Sequence, residues 1–230
     1  PLISQGVRVL FFERFLQRLW CSDKLAFLEK DKWVTTEAIA TSIVPGSGHT
    51  IWSSSAHGFF RTDAHTGTTE RFGRPDSLRN FERTFSVVED RKGRIWVTTH
   101  SGLRLWKNGR FDLPPLEHPM LRFQPRHLAL LFDGGMAVGL RGGGVLLQDR
   151  AGTISYLNQN DGLSSGAVTK IVAVSGGRVF VCSNNGLNRL TRFRPDKKWR
   201  IEVISTKQGL PSSQVNDAVM QGGYIWVATN

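Results

Sequence analysis

The sequence predicts an all-β chain assembled from tandem copies of one small antiparallel sheet. That is a β-propeller of four-stranded antiparallel blades, short or partial, with about five to six repeats. Three observations predict it. First, the phrase Ile95-Trp96-Val97-Thr98-Thr99-His100-Ser101-Gly102-Leu103 returns as Ile51-Trp52-Ser53-Ser54-Ser55-Ala56-His57-Gly58-Phe59 and as Val179-Phe180-Val181-Cys182-Ser183-Asn184-Asn185-Gly186-Leu187. It starts again at Ile225-Trp226-Val227-Ala228-Thr229-Asn230, and a weaker copy begins at Met136. Second, the copies begin at residues 51, 95, 136, 179 and 225, so the steps are 44, 41, 43 and 46 residues, the length of one blade. Third, each copy is an apolar, β-branched or aromatic run bounded by polar turns with glycine.

Residues 1–30 support two readings. Val9 to Trp20 fits an amphipathic helix with Leu10, Phe12, Phe15, Leu16 and Leu19 near one face. Ser4-Gln5-Gly6-Val7-Arg8-Val9-Leu10 instead matches the third-strand phrase Ser101-Gly102-Leu103-Arg104-Leu105, and Leu19-Trp20-Cys21-Ser22 reads as a degenerate Trp phrase. Blades are expected near 40–72, 84–112, 126–157 and 168–204, all in one domain, with half a blade at 215–230. In the clearest blade, Thr84 to Val88 is the first strand and Glu89-Asp90-Arg91-Lys92-Gly93 its turn. Arg94 to Thr98 returns, Leu103 to Trp106 alternates as the third strand, and Asn108-Gly109 signals the hairpin to an outer strand. The blade at 168–204 follows the same order, with a long basic loop at 192–198. The chain begins at Pro1 rather than Met and stops inside a repeat, so it is expected to be a piece of a longer protein.

Composition excludes some classes. Apolar content of 40% and charged content of 21% suit a globular domain. No apolar run is long enough for a membrane span, and Arg8, Glu13 and Arg14 interrupt the only signal-like stretch. Two cysteines, Cys21 and Cys182, form no C-x-x-C pair, so neither a metal nor a cofactor is expected. The histidines (His49, His57, His65, His100, His118, His127) have no metal-motif spacing, and no Gly-x-Ser-x-Gly elbow occurs. No catalytic residue is assigned and the chain is not expected to be an enzyme. No Trp-Asp dipeptide supports a WD40 propeller. The net charge of +11 invites an anionic partner, but no nucleic-acid motif is present and the aromatics read as core.

Two lead-ins, Asp161-Gly162-Leu163-Ser164-Ser165 and Gln208-Gly209-Leu210-Pro211-Ser212-Ser213, precede strand phrases at a fixed distance. Lead-in, strand, acidic-Gly turn, Ile-Trp phrase and Gly-Leu together resemble the two-component regulator propeller repeat, over roughly residues 40–230. The resemblance implies an extracytoplasmic or periplasmic sensor region of a bacterial membrane-bound regulator, with a histidine kinase or diguanylate cyclase on the inner side. It also implies recognition of glycans or their fragments, and a homodimer formed through the parent protein. The chain departs from the family by having no span, no kinase or cyclase motif, and fewer repeats than its long double propellers.

Strand order assigns the faces. If the first strand runs away from the ligand face, the second-to-third turns and the blade-to-blade loops share it. The candidate ligand residues are then His57, His100, Ser101, Arg141, Ser164, Ser165, Asn184, Asn185, Ser212 and Ser213. Neutral donors and acceptors around a depression suit a glycan or other small polar ligand. The same residue types also serve backbone geometry in turns. The opposite face carries Arg91, Lys92, Arg94, Lys107, Arg110, Arg150, Arg178, Arg192, Arg194, Lys197 and Lys198, and is expected to meet an anionic surface or simply water. Trp52, Trp96, Phe180 and Trp226 are expected to pack between blades. The alternatives to a sensor are a protein-binding scaffold and a propeller lyase.

Overall fold

The computed structural model describes residues 10–13, 18–21, 23–30, 32–73, 83–114, 116–122, 124–192 and 198–230. The chain is a β-propeller of four-stranded antiparallel blades, as the repeat predicts. It divides into two compact units, Pro1–Leu116 and Glu117–Asn230.

The first unit holds three sheets. Blade A is β1 (Leu10–Glu13), β2 (Arg18–Cys21), β3 (Asp23–Glu29) and β4 (Lys32–Ala40). Residues Leu10–Glu13 and Arg18–Cys21 are therefore strands, not parts of a helix, while Ser4 to Val9 and Ser22 lie outside the described residues. Blade B is β5 (Ser42–Pro45), β6 (Thr50–Ser55), β7 (Gly58–Asp63) and β8 (Thr69–Phe72). Blade C is β9 (Thr84–Glu89), β10 (Ile95–Thr99), β11 (Gly102–Lys107) and β12 (Arg110–Asp112). The second unit holds blade D, with β13 (Pro125–Leu130), β14 (Met136–Leu140), β15 (Val145–Gln148) and β16 (Ile154–Leu157). Blade E follows, with β17 (Val168–Val174), β18 (Arg178–Ser183), β19 (Gly186–Thr191) and β20 (Arg200–Ile204). A two-stranded sheet F, β21 (Val215–Gln221) and β22 (Tyr224–Thr229), completes the described strands.

The pleat sends alternate residues of each second strand to opposite neighbours. Ile51 points into a core with Trp20, Leu25 and Phe27 of blade A. Trp52, the next residue, joins Phe59, Val87 and Val97 between blades B and C. Val179 faces blade D with Ala137, Val145 and Leu163, whereas Phe180 faces sheet F with Val215 and Ala218. One two-residue phrase thus buries an apolar side chain in each of two interfaces. This is why both halves of it must be apolar.

Trp226 corrects the expectation for the last copy. Ile225 and Val227 pack toward blade E, but Trp226 is 64% exposed and lies opposite Val219, itself 54% exposed. The residue sits on the face that Trp52 uses to meet a following blade, and no described residue of its own unit covers it.

The first strands of blades C to F share one irregularity. The register slips by one residue at Phe85, Arg126, Thr169 and Asn216, each one position into its strand. Such bulges twist a strand and re-aim the side chains beside them. In the second unit these side chains reach the next first strand. Thr169 Oγ1 donates to the Val215 carbonyl at 2.6 Å, and Lys170 pairs with Asp217 at 3.3 Å.

Candidate functional site

In blades B, C and E the second-to-third turn is built by a hydroxyl at the end of the second strand. Ser55, Thr99 and Ser183 are buried. Their hydroxyls donate to the carbonyls of Gly58, Gly102 and Gly186 at 3.4, 2.9 and 2.9 Å. Ser55 and Ser183 also accept the amide N–H of His57 and Asn185. Gly186 has φ 118° and an added Cβ would lie 2.8 Å from the Ile204 carbonyl, so only glycine fits where the fourth strand passes. The turn residues between hydroxyl and glycine, including His57, His100, Ser101, Asn184 and Asn185, are exposed at the end of their blades.

Each turn meets the segment that leads into a first strand. Thr84 Oγ1 donates to the carbonyls of Ser55 and Gly58, both at 2.7 Å, and the His100 amide donates to the Arg83 carbonyl at 2.9 Å. Ser164 and Asn185 are brought together, the Asn185 Nδ2 donating to the Ser164 carbonyl at 3.2 Å. Ser164 is fully engaged in structure. Its amide donates to the buried Asn188 Oδ1 at 2.8 Å, and its hydroxyl bonds the Ser183 hydroxyl at 3.0 Å. Ser165 and Ser212 accept from the amides of Ala167 and Gln214, closing tight turns. Ser213 is half-buried beside them. Both lead-ins begin with a capping box, Asn158 with Asp161 and Ser205 with Gln208, followed by a left-handed glycine. The serines of the lead-ins therefore serve the joint between blades first.

Blade D departs from this pattern. Leu140 stands where blades B, C and E have a hydroxyl, and the turn runs Arg141-Gly142-Gly143-Gly144. The Leu140 amide donates to the Gly144 carbonyl and the Gly144 amide to the Gly166 carbonyl, both at 2.9 Å. Arg141 is exposed and fastened twice to one residue. Its amide donates to the Gln124 carbonyl at 3.2 Å, and its Nη1 donates to Gln124 Oε1 at 3.1 Å. Gln124 holds φ 43°, a left-handed conformation unusual outside glycine, asparagine and aspartate.

Three groupings escape a sequence reading. Gln214, Asn216 and Asn230 close a ring of amides, each donating to the next at 3.1, 2.7 and 2.9 Å. Asn188 looks like any third-strand residue, yet is buried and joins a lead-in to the Val181 carbonyl. His127 is buried on β13, its Nδ1 accepting the Ile171 amide at 3.3 Å while Nε2 has no partner. Burial, and then the Lys170 charge, hold its pKa well below the ordinary value, so the ring is neutral. The slip in polar and apolar alternation at Val168-Thr169-Lys170-Ile171 is the sequence signal that marks such bulge positions.

The other end of the blades is acidic at its joints. Glu89 accepts from the Trp52 indole at 2.8 Å, and from the Ser47 amide and hydroxyl at 3.1 and 2.7 Å. Desolvation alone raises its pKa, but these bonds outweigh it and hold the carboxyl below its ordinary range. Asp90 takes the Trp96 indole at 2.9 Å and pairs with Arg94. Arg110 pairs with Asp112 and Arg192 with Asp149, so part of the basic surface is neutralised within its own unit. Arg194 and Lys197 lie outside the described residues. Cys182 is buried and unbridged, and desolvation followed by Asp217 pushes its thiol up to about 12, which leaves it unreactive at neutral pH. Among the described residues, no group of three or more His, Cys, Asp or Glu is placed to hold a metal ion, and no helix is long and apolar enough to cross a membrane.

No protein-family model matches the chain, and no curated protein does at the level of sequence. Solved structures do match. The extracellular domain assigned to the hybrid two-component system BT3049 of B. thetaiotaomicron superposes with a TM-score of 0.75 at 19% identity, over 97% of this chain and 32% of that one. The extracellular domain assigned to BT4673 of the same organism gives 0.69 at 15%, again over 97% and 32%. A virginiamycin B lyase of Staphylococcus aureus, solved with quinupristin, gives 0.72 at 14%, over 96% and 77%. The chain therefore spans about a third of the extracellular domains it resembles. Extracellular domains assigned to two-component systems stand among the structures that share its fold, in line with the repeat resemblance.

Proposed function

We propose that the chain is part of the extracellular ligand-sensing module of a membrane-bound signalling protein, and that it binds a glycan or other small polar ligand. The observation that carries this reading is that blade after blade exposes a polar turn residue at the same end of its own second strand: His57 and His100 in the first unit, Arg141 and Asn184 in the second. Their turns are pinned by buried hydroxyls or by Gln124, so their side chains are presented from a rigid base. The likeness to two-component extracellular domains supports the sensor role. Ligand binding favours one arrangement of the module or of a homodimer, and its differential affinity shifts an equilibrium read by a kinase or cyclase outside this chain. Exposed basic residues at the other end of the blades, such as Lys92, Lys107 and Arg150, are read as facing an anionic surface.

Glycan-array screening followed by calorimetry tests the reading. Binding that falls in His100→Ala or in Arg141→Ala supports it, and hits that survive both variants unchanged remove these turns from consideration. The lyase likeness favours a second reading, an enzyme. Mass spectrometry of quinupristin incubated with the protein distinguishes it. The sensor reading expects intact quinupristin, and turnover replaces that reading with the enzyme.

A further inference from the structure

The blade D turn is specialised in a way the repeat does not require. Three blades close the corresponding turn with a buried hydroxyl. Blade D gives up that device and accepts a left-handed Gln124 instead, a conformation that is strained for a residue with a Cβ. What the strain supports is the position of one guanidinium. Gln124 takes the Arg141 amide through its carbonyl and Nη1 through its side chain, so both ends of the arginine are held by one residue. The residue that follows it has no side chain. An added Cβ at Gly142 would meet nothing within 4 Å, so the space beside Arg141 is open. An added Cβ at Gly166 would lie 2.6 Å from the Gly142 carbonyl, so the turn is seated directly on the lead-in and its backbone is fixed.

An arginine anchored at one nitrogen still has further N–H groups in its planar fork. A fork of this kind matches an oxyanion, whose two oxygens accept parallel hydrogen bonds. We propose that Arg141, oriented by Gln124, reads a carboxylate or other oxyanion on the ligand, so that the sensed molecule is an acidic glycan rather than a neutral one. This rests on the sensing function proposed above. Gln124 is a positioning residue and does not touch the ligand. Carboxylate and sulfate share the chemistry, and the probes separate them.

The experiment uses the whole 230-residue chain against matched neutral, uronate-bearing and sulfated oligosaccharides on an array, with calorimetry on the hits. Acidic ligands are expected to bind, uronate and sulfate ranking by whichever oxyanion the fork accepts. Arg141→Ala is expected to weaken them by about ten- to a hundredfold. Arg141→Lys keeps the charge but loses the fork and is expected to recover only part of that loss. Gln124→Gly relieves the left-handed backbone and removes the side-chain clamp. It is expected to melt no lower than the parent while binding acidic ligands more weakly, a split that a purely structural Gln124 would not give. Arg61→Ala, at a surface ion pair with Glu70 in blade B, is expected to bind as the parent does. Neutral hits only, acidic hits indifferent to Arg141→Ala, or acidic binding lost in Arg61→Ala would each overturn the oxyanion site while leaving a glycan sensor standing. No binding to any member of the array overturns both.

Discussion

Trp52 and Trp226 occupy the same place in two copies of one phrase, yet they live in different surroundings. Trp52 is buried against Phe59 and Phe72, with ring centroids 5.9 and 5.6 Å away. Phe59 and Phe72 are stacked and meet Trp106 and Phe111, so the indole belongs to a five-ring cluster between blades B and C. Its Nε1 reaches Glu89 in the neighbouring blade. Trp226 faces outward beside the equally exposed Val219 and Tyr224. The difference teaches that the phrase specifies a side of the sheet, not a burial. Ile is committed to the preceding blade in both copies, through Ile51 and Ile225. Trp is committed to the following side, and its burial depends on what stands there.

Three measurements sharpen or break this comparison. The largest effect is expected from Trp52→Ala, which removes an aromatic from a filled interface and should cost about 3–5 kcal/mol. Denaturant melts would show it, and a loss below 1 kcal/mol would mean that the aromatic cluster does not bind the blades together.

The next concerns pH. The Glu89 pKa is depressed, so its contribution is present above the ordinary value of 4.5 and is lost as pH falls through the lower folded value. Between about pH 5 and 2, the melting temperature of the parent should therefore fall more steeply than that of Glu89→Gln. Parallel slopes in the two proteins would deny Glu89 its role as the indole acceptor.

The smallest effect is expected for Trp226→Ala, within about 0.5 kcal/mol in the chain as it stands. A cost comparable to that of Trp52→Ala would show that the exposed face of sheet F is covered in solution.

Fold class was legible because its signal is repeated. One Ile-Trp phrase could be any strand, but four near-copies at blade-length spacing leave few architectures. The turn residues were legible by position only. His100 and Arg141 look alike in sequence, each following a second strand. Nothing local reports that a glutamine seventeen residues earlier clamps the arginine, because Gln124 carries no motif and its left-handed backbone is imposed by the turn it serves. Ser164 misled in the opposite direction. A serine in a lead-in reads as a possible ligand contact, yet its amide, carbonyl and hydroxyl are occupied by Asn188, Asn185 and Ser183, which come from strands and turns about twenty residues away.

By itself, the sequence determined the repeat, its strands and which side of the sheet each apolar residue takes. These follow from periodicity and alternation, which act between near neighbours. Tertiary structure decided which polar groups are consumed in joining blades and which stay exposed at their ends. Hydrogen-bond partners such as Glu89 for Trp52, Asn188 for Ser164 and Gln124 for Arg141 are set by the approach of distant strands, and a chain read locally holds no record of that approach. The same reason separates Trp52 from Trp226. The pleat points both indoles the same way, and only the presence of blade C turns one of them into core.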